Sequence, residues 1–128
     1  MKLIDIGANL SHEYFSHDLE QVIASAQEAG VTDIIVTGTD HDSNVAALDL
    51  SRKHPEIFRS TAGFHPHVSD SFDDAALSAI RELAQRDEVV AIGDTGLYFN
   101  RNFSSRESQL TTFEALLALA TYISKPLF

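Results

Sequence analysis

Two kinds of stretch alternate along the chain. Short apolar runs rich in β-branched residues are each followed by a polar loop, and then by a segment in which apolar residues recur every three or four positions. The first pattern predicts a buried strand and the second an amphipathic helix. Strands are predicted near Leu3 to Ile6, Asp33 to Thr37, Phe58 to Ala62 and Val89 to Ile92. Alternation of this kind is typical of an α/β protein with a parallel sheet.

A helix is predicted after each strand. The first is expected to start with Asp18 as its N-cap and to stop at Gly30. The second is expected from about Ser43 to His54, where Pro55 stops it, and the third from about Asp74 to Arg86. No linker or low-complexity tract interrupts the series, so residues 1–128 are expected to form a single domain.

The fourth helix and the residues after it indicate a larger architecture. Ser104 and Glu107 form a capping-box pattern at the start of this helix. Its core-facing positions are expected to be Leu110, Phe113, Leu117 and Ala120. The apolar residues after Pro126 resemble the opening of a fifth strand. Four βα units with that opening amount to half of a (β/α)₈ barrel, which is typically about 250 residues long. A small flavodoxin-like open sheet is the alternative.

Composition restricts the compartment and the possible ligands. The 128 residues are 44% hydrophobic, which is enough to build a core, and no run of eighteen apolar residues occurs. The N-terminus also lacks the features of a signal peptide, so the cytoplasm is the predicted compartment. The chain has no cysteine, which leaves His, Asp, Glu and Asn as possible metal ligands and Mg, Mn or Zn as possible ions.

The charge balance gives weak information about partners. A formal net charge of -10 argues against a protein that binds nucleic acid over its whole surface. It does not exclude a nuclease, because a metal ion in a cleft can supply local positive charge. Arg101 and Arg106 also lie close in sequence to Asp94, a candidate metal ligand.

The first candidate site is the sequence VAIGDTGLYFNRNF, which joins an apolar strand to a carboxylate and a polar loop. Asp94 falls just past the strand, where ligands bind in parallel α/β proteins, and this position makes it a candidate metal ligand. Gly93 and Gly96 flank it and allow a sharp turn. The alternative is that Asp94 only begins a turn.

A second site of the same kind follows the preceding strand. His65 and His67 lie just past its end, and Pro66 between them fixes a backbone angle. Imidazole is the commonest metal ligand, so the pair could face the same edge as Asp94. A simple surface turn is the alternative explanation.

Four motifs together carry a resemblance to a known family. They are DIGANL from Asp5, GTD from Gly38, AGFHPH from Ala62 and VVAIGDTGLYFNRNFS from Val89. In this order and at these intervals they resemble the TatD family of metal-dependent deoxyribonucleases. The resemblance implies a TIM barrel that hydrolyses phosphodiester bonds with one or two divalent metals.

The resemblance implies roles for individual residues and also shows departures. Asp94 stands where the family usually has a glutamate metal ligand, and Tyr98 stands where an acidic residue is expected. Gly7 and Asn9 occupy the positions of an HxH motif found in many members. His65 matches a site-lining histidine, for which the resemblance implies contact with substrate phosphate or a metal-bound water. The family's remaining ligands would lie beyond Phe128.

The combined expectation is a TatD-type deoxyribonuclease that is incomplete or inactive as this short chain. Any divalent ion is expected to bind weakly through Asp94, with His65 as the catalytic residue. DNA is the expected substrate and no membrane partner is expected, whereas self-association or a complementary C-terminal half would cover exposed strands. Two alternatives remain open: a noncatalytic remnant or interaction module, and a hydrolase of small esters or amides.

Overall fold

The computed structural model describes all 128 residues and contains one sheet of four parallel strands in sequential order. The strands are β1 (Leu3–Ala8), β2 (Val31–Val36), β3 (Phe58–Ala62) and β4 (Val89–Ile92). The helices are α1 (Leu19–Glu28), α2 (His41–Lys53), α3 (Asp74–Leu83) and α4 (Arg106–Ile123), and two short 3₁₀ helices lie at Glu13–Phe15 and Pro66–Ser71. The predicted order and parallel pairing are confirmed.

Two clusters of buried side chains hold the helices against the sheet. One joins β2 to α1 and α2 through residues such as Val36, Ile23 and Ala47. The other joins β3 and β4 to α3 and α4 through residues such as Ile92 and Leu116. Burial of apolar surface in these clusters stabilises the fold by roughly 25 cal/mol per Å². No helix has the length and apolar character needed to cross a membrane.

Helix α1 begins where it was predicted, whereas helix α2 begins earlier than predicted. Asp18 is the N-cap of α1, as expected, but its side chain makes no capping hydrogen bond. Helix α2 starts two residues earlier than predicted, because Asp40 and Ser43 form a reciprocal capping box there. In that box the Ser43 N–H donates to the Asp40 carboxylate at 2.8 Å.

The predicted N-cap of α4 is wrong, and its buried face is shifted by one residue, so that of the four predicted core positions only Ala120 is buried. Ser105, not Ser104, is the N-cap, and its side chain accepts from the Ser108 N–H. The hydroxyl of Ser104 instead donates to the His67 carbonyl, which ties α4 to the loop after β3. The buried face of α4 consists of Gln109, Thr112, Leu116, Leu119 and Ala120. Leu110 and Leu117 are more than 40% exposed, because the buried face lies one residue earlier along the helix and includes the polar residues Gln109 and Thr112.

The last residues pair with β4 as a fifth strand would. Leu127 forms a parallel bridge with Ile92, and the Phe128 N–H donates to the Ile92 carbonyl at 2.8 Å. At the opposite edge, β1 has no partner on its outer side. Ile4 and Ile6 on this strand are each 61% exposed. The sheet therefore ends in one open, apolar edge.

Candidate functional site

The loops at the carboxyl ends of the strands are joined by main-chain hydrogen bonds. The Asp94 N–H donates to the Gly38 carbonyl after β2 at 2.8 Å, and the Phe64 N–H after β3 donates to the Asp94 carbonyl at 2.9 Å. The His65 N–H donates to the Thr39 carbonyl at 2.8 Å. His65 and Asp94 therefore lie on one rim of the sheet, as predicted, on a backbone that is fixed independently of their side chains.

Glycines allow the loops that follow β3 and β4 to approach each other closely. A Cβ added at Gly63 would overlap the main chain of Gly93 and Asp94. Gly93 has φ +148°, a conformation that side chains rarely permit, and the peptide bond that joins it to Asp94 is cis. Asp94 fits at the rim because Gly93, which precedes it in the chain, and Gly63, which packs against it, both lack a side chain.

The two predicted site residues face each other across a short gap. His65 Nε2 lies 3.8 Å from Asp94 Oδ2, and each side chain is about one third exposed. His65 Nδ1 accepts a hydrogen bond from the His67 N–H at 3.0 Å, so a neutral His65 ring carries its proton on Nε2. His65 therefore directs an N–H donor toward Asp94. Burial raises the pKa of the Asp94 carboxyl, against the opposing effect of His65 and His67.

A cleft of about 380 Å³ opens beside this pair. It is lined by Gly7, Asn9, Thr37, Thr39, His65, Asp94 and Phe128. Thr37 is only 7% exposed, and its hydroxyl has no hydrogen-bond partner. A larger cavity of about 520 Å³ lies between the start of α2 and the start of α3 and includes neither His65 nor Asp94. The smaller cleft is therefore the candidate site.

Asn44 was missed by the sequence analysis although it positions the rim. It is 2% exposed, its Nδ2 donates to the Gly63 carbonyl at 2.9 Å, and its Oδ1 accepts the Gly63 N–H at 2.9 Å. The amide thereby holds the chain two residues before His65. A signal was present, because Asn44 precedes Ala47 and Leu48 at helical spacing and so lies on the apolar face of α2.

His67 packs against His65, with ring centroids 4.4 Å apart, and belongs to a group of aromatic rings. Its ring centroid is 4.9 Å from that of Tyr98 and 4.8 Å from that of Phe103. Its Nε2 is buried and has no hydrogen-bond partner. Of the two predicted histidines, only His65 faces Asp94 within ion-pair distance.

The donors present do not by themselves fit a divalent metal ion. No group of three or more histidine or carboxylate side chains in this structure could hold one. Asp94 and His65 supply two side chains, whereas a protein metal site typically has three or four protein ligands. The N–H that His65 turns toward Asp94 is also a donor and not a lone pair.

The sequence of this chain is similar to those of proteins with a known description. A family model described as TatD related DNase matches residues 4–128. The 3'-5' ssDNA/RNA exonuclease TatD of Yersinia pseudotuberculosis is 47% identical over 126 residues, which cover 98% of this chain and 48% of the relative. The exonuclease of the same description from Erwinia tasmaniensis is 44% identical and is covered to 49%. The chain thus spans about half the length of the curated relatives it matches.

Solved structures agree with the fold. A hydrolase TatD family protein from Entamoeba histolytica superposes with a TM-score of 0.88 at 29% identity, covering 100% of this chain and 49% of that one. The TatD homolog YjjV from Escherichia coli superposes with a TM-score of 0.87 at 27% identity, covering 98% and 49%. The four parallel strands and their helices therefore match about half of these TIM-barrel structures. On sequence and fold together, the chain belongs to the TatD-related DNase family.

Proposed function

We propose that this chain supplies part of the active site of a metal-dependent hydrolase that cleaves phosphodiester bonds in single-stranded nucleic acid. The observation that carries the proposal is the convergence of His65 and Asp94, 3.8 Å apart, on one rim beside a cleft. The names of the exonuclease relatives support the reaction class and the substrate class.

Asp94 is the residue that we propose as a metal ligand. Its carboxylate is partly buried and carries no hydrogen bond from a protein side chain, so its oxygens remain free to coordinate. Divalent ions such as Mg, Mn and Zn all accept carboxylate oxygen. The ion would supply positive charge to the substrate phosphate in an otherwise acidic protein.

His65 is the residue that we propose as the catalytic contact to phosphate. Because Nδ1 already accepts from the His67 N–H, the free Nε2–H can donate to a phosphate oxygen that lies between the two side chains. This N–H donor stabilises negative charge on the phosphate as attack proceeds. The hydrogen bond from the His65 main-chain N–H to the Thr39 carbonyl holds the main chain of His65 in place before substrate binds.

We further propose that residues 1–128 form one half-barrel domain that hydrolyses nucleic acid negligibly by itself. The reason is chemical: two converging side chains are too few to bind a catalytic ion tightly. Additional ligands would come from a complementary C-terminal half, which would also cover the exposed edge of β1. The cytoplasm stays the predicted compartment.

A chimera tests this proposal. Residues 1–128 replace the matching half of the Yersinia pseudotuberculosis relative, which avoids the question of whether two separate halves assemble. We expect metal-dependent release of nucleotides from single-stranded DNA by the chimera. Asp94→Ala should abolish the reaction and His65→Gln should reduce it roughly 10²-fold or more, since it removes a positioned donor.

The matched control is Asp49→Asn, an exposed acidic residue on α2. It should leave the reaction rate unchanged. A folded chimera that shows no hydrolysis, or hydrolysis that survives Asp94→Ala, would contradict the proposal. The first result would favour a noncatalytic interaction module.

A further inference from the structure

Three side chains beside the cleft have no part in the function proposed above. His67, Tyr98 and Phe103 form an aromatic cluster in which the His67 ring lies 4.9 Å from Tyr98 and 4.8 Å from Phe103. The His67 ring also lies 4.4 Å from the ring of His65, so the cluster adjoins the candidate catalytic residue. It is therefore continuous with the site.

The outer rings of the aromatic cluster are open to solvent. Phe103 is 65% exposed and Tyr98 is 37% exposed, although both are large and apolar. The backbone that carries them is nevertheless held in place: the Tyr98 N–H donates to Gln109 Oε1 at 2.9 Å, and Gln109 Nε2 donates to the Ser104 carbonyl at 3.0 Å. A main chain held in this way reduces the entropy that is lost when exposed aromatic rings bind a flat ligand.

Local charge distinguishes this surface from the rest of the molecule. The segment from Thr95 to Arg106 contains two arginines and no carboxylate, in a chain whose net charge is -10. Neither Arg101 nor Arg106 forms an ion pair. Arg106 is the first residue of α4, where the helix dipole disfavours a cation, and its guanidinium lies 4.4 Å from the ring centroid of Phe99. Two arginines without a carboxylate partner thus lie on the segment that carries Tyr98 and Phe103, and Arg101 is close enough to His67 to lower its pKa.

His67 contributes a neutral ring to the aromatic cluster. Burial lowers the pKa of its imidazole, and the neighbouring His65 and Arg101 lower it further against the pull of Asp94. Protonation of His67 is disfavoured at neutral pH for this reason. The His67 ring meets the rings of Tyr98 and Phe103 in edge-on, T-shaped contacts, with interplanar angles of 61° and 88°.

We propose that the aromatic cluster binds an unpaired nucleobase by stacking on Phe103 and Tyr98, while Arg101 and Arg106 contact the adjacent backbone phosphates. The inference rests on the proposed function, because it assumes that the scissile phosphate lies at His65 and Asp94. Aromatic rings with nearby cations are the features that bind single strands, since every base offers a flat face only when it is unpaired. The aromatic cluster thereby selects single-stranded over duplex substrate.

Binding of a short single-stranded DNA to the 128-residue chain tests the stacking. The strand carries 2-aminopurine, whose fluorescence is quenched by stacking, and EDTA is present so that no cleavage occurs. An abasic strand of equal length has the same phosphates and no bases. We expect quenching, and binding of the base-containing strand about tenfold more tightly than the abasic strand.

Phe103→Leu and Tyr98→Leu should each remove most of that preference, because leucine keeps apolar bulk without a flat ring. Tyr122→Leu is the matched control: Tyr122 is 79% exposed on α4 outside the aromatic cluster, and its replacement should change nothing. Circular dichroism establishes that each variant is folded. Equal binding of both strands, or variants that keep the preference, would overturn stacking.

The outcome separates this inference from the proposed function. Equal binding of both strands, with an active chimera, defeats stacking and leaves the hydrolase proposal standing. Base preference that depends on Phe103, with an inactive chimera, supports stacking and defeats the hydrolase proposal. Absence of binding to either strand defeats stacking whatever the chimera does.

Discussion

Replacement of Asn44 by alanine tests whether the rim is held by one buried amide. The change removes the donor to the Gly63 carbonyl and the acceptor for the Gly63 N–H, both at 2.9 Å. Neither main-chain group gains an alternative partner from the alanine methyl, and Asn44 is only 2% exposed, so water does not readily replace the amide.

The size of the effect follows from these two groups. Each buried main-chain group left without a partner costs about 1–3 kcal/mol, giving roughly 2–6 kcal/mol for the pair. The higher helix propensity of alanine in α2 offsets about 0.5 kcal/mol of this loss of stability. We therefore expect Asn44→Ala to lower the free energy of unfolding by about 2–5 kcal/mol. That is a large part of the roughly 5–15 kcal/mol that stabilises an ordinary domain.

Urea unfolding followed by circular dichroism measures this loss. The midpoint should fall while the slope of the unfolding free energy against urea stays constant, since the change acts on the folded state. Asn100→Ala is the matched control, because Asn100 is exposed and its side chain makes no hydrogen bond. A loss below about 0.5 kcal/mol for Asn44→Ala would refute the reasoning, because it would mean that the Gly63 groups find other partners.

Three further substitutions test single features of the site region. Gly63→Ala should lower the unfolding free energy by about 1–3 kcal/mol in urea, because its Cβ would overlap the chain at Gly93; an unchanged midpoint would contradict this. Thr37→Val should raise the melting temperature and increase the unfolding free energy by about 1 kcal/mol, because it removes a buried hydroxyl without a partner. A lower melting temperature would show that the hydroxyl is hydrogen-bonded. Hydrogen bonds from the Ser108 hydroxyl and the Ser105 N–H lower the pKa of Asp70, so Asp70→Asn should reduce the melting temperature near neutral pH. This difference should disappear as pH falls below about 4, through the lowered pKa of the folded protein, and a difference that persists in acid would contradict the cause.

The elements that could be predicted from the sequence are those defined by a pattern of apolar residues. The bounds of β3 and β4 were predicted correctly because both strands are buried and end abruptly at glycine. The shared rim of His65 and Asp94 followed from parallel pairing alone, since the carboxyl ends of such strands lie at one edge. These inferences need only local pattern and topology.

The features that were missed depend on partners distant in sequence. The core face of α4 was predicted one residue too late because a pattern of apolar residues assigns glutamine to the surface. Gln109 is buried nevertheless, since its amide is hydrogen-bonded to Tyr98 and Ser104. Asn44 was missed because its role depends on a distant residue. Its hydrogen-bond partner, Gly63, is nineteen positions away in the sequence. The roles of His65 and Asp94 as catalytic residue and metal ligand stay predictions.

The main-chain hydrogen bonds of the rim make its folded structure independent of the side chains at positions 65 and 94. The bonds from Asp94 to Gly38, from Phe64 to Asp94 and from His65 to Thr39 use N–H and carbonyl groups that every residue except proline possesses. Mutations that change only the side chains at positions 65 and 94 therefore leave these bonds in place. The side chains at these two positions can therefore be exchanged while the folded main chain of the rim persists. Changes in the chemistry of the rim at these positions therefore do not have to pass through an unfolded ancestor.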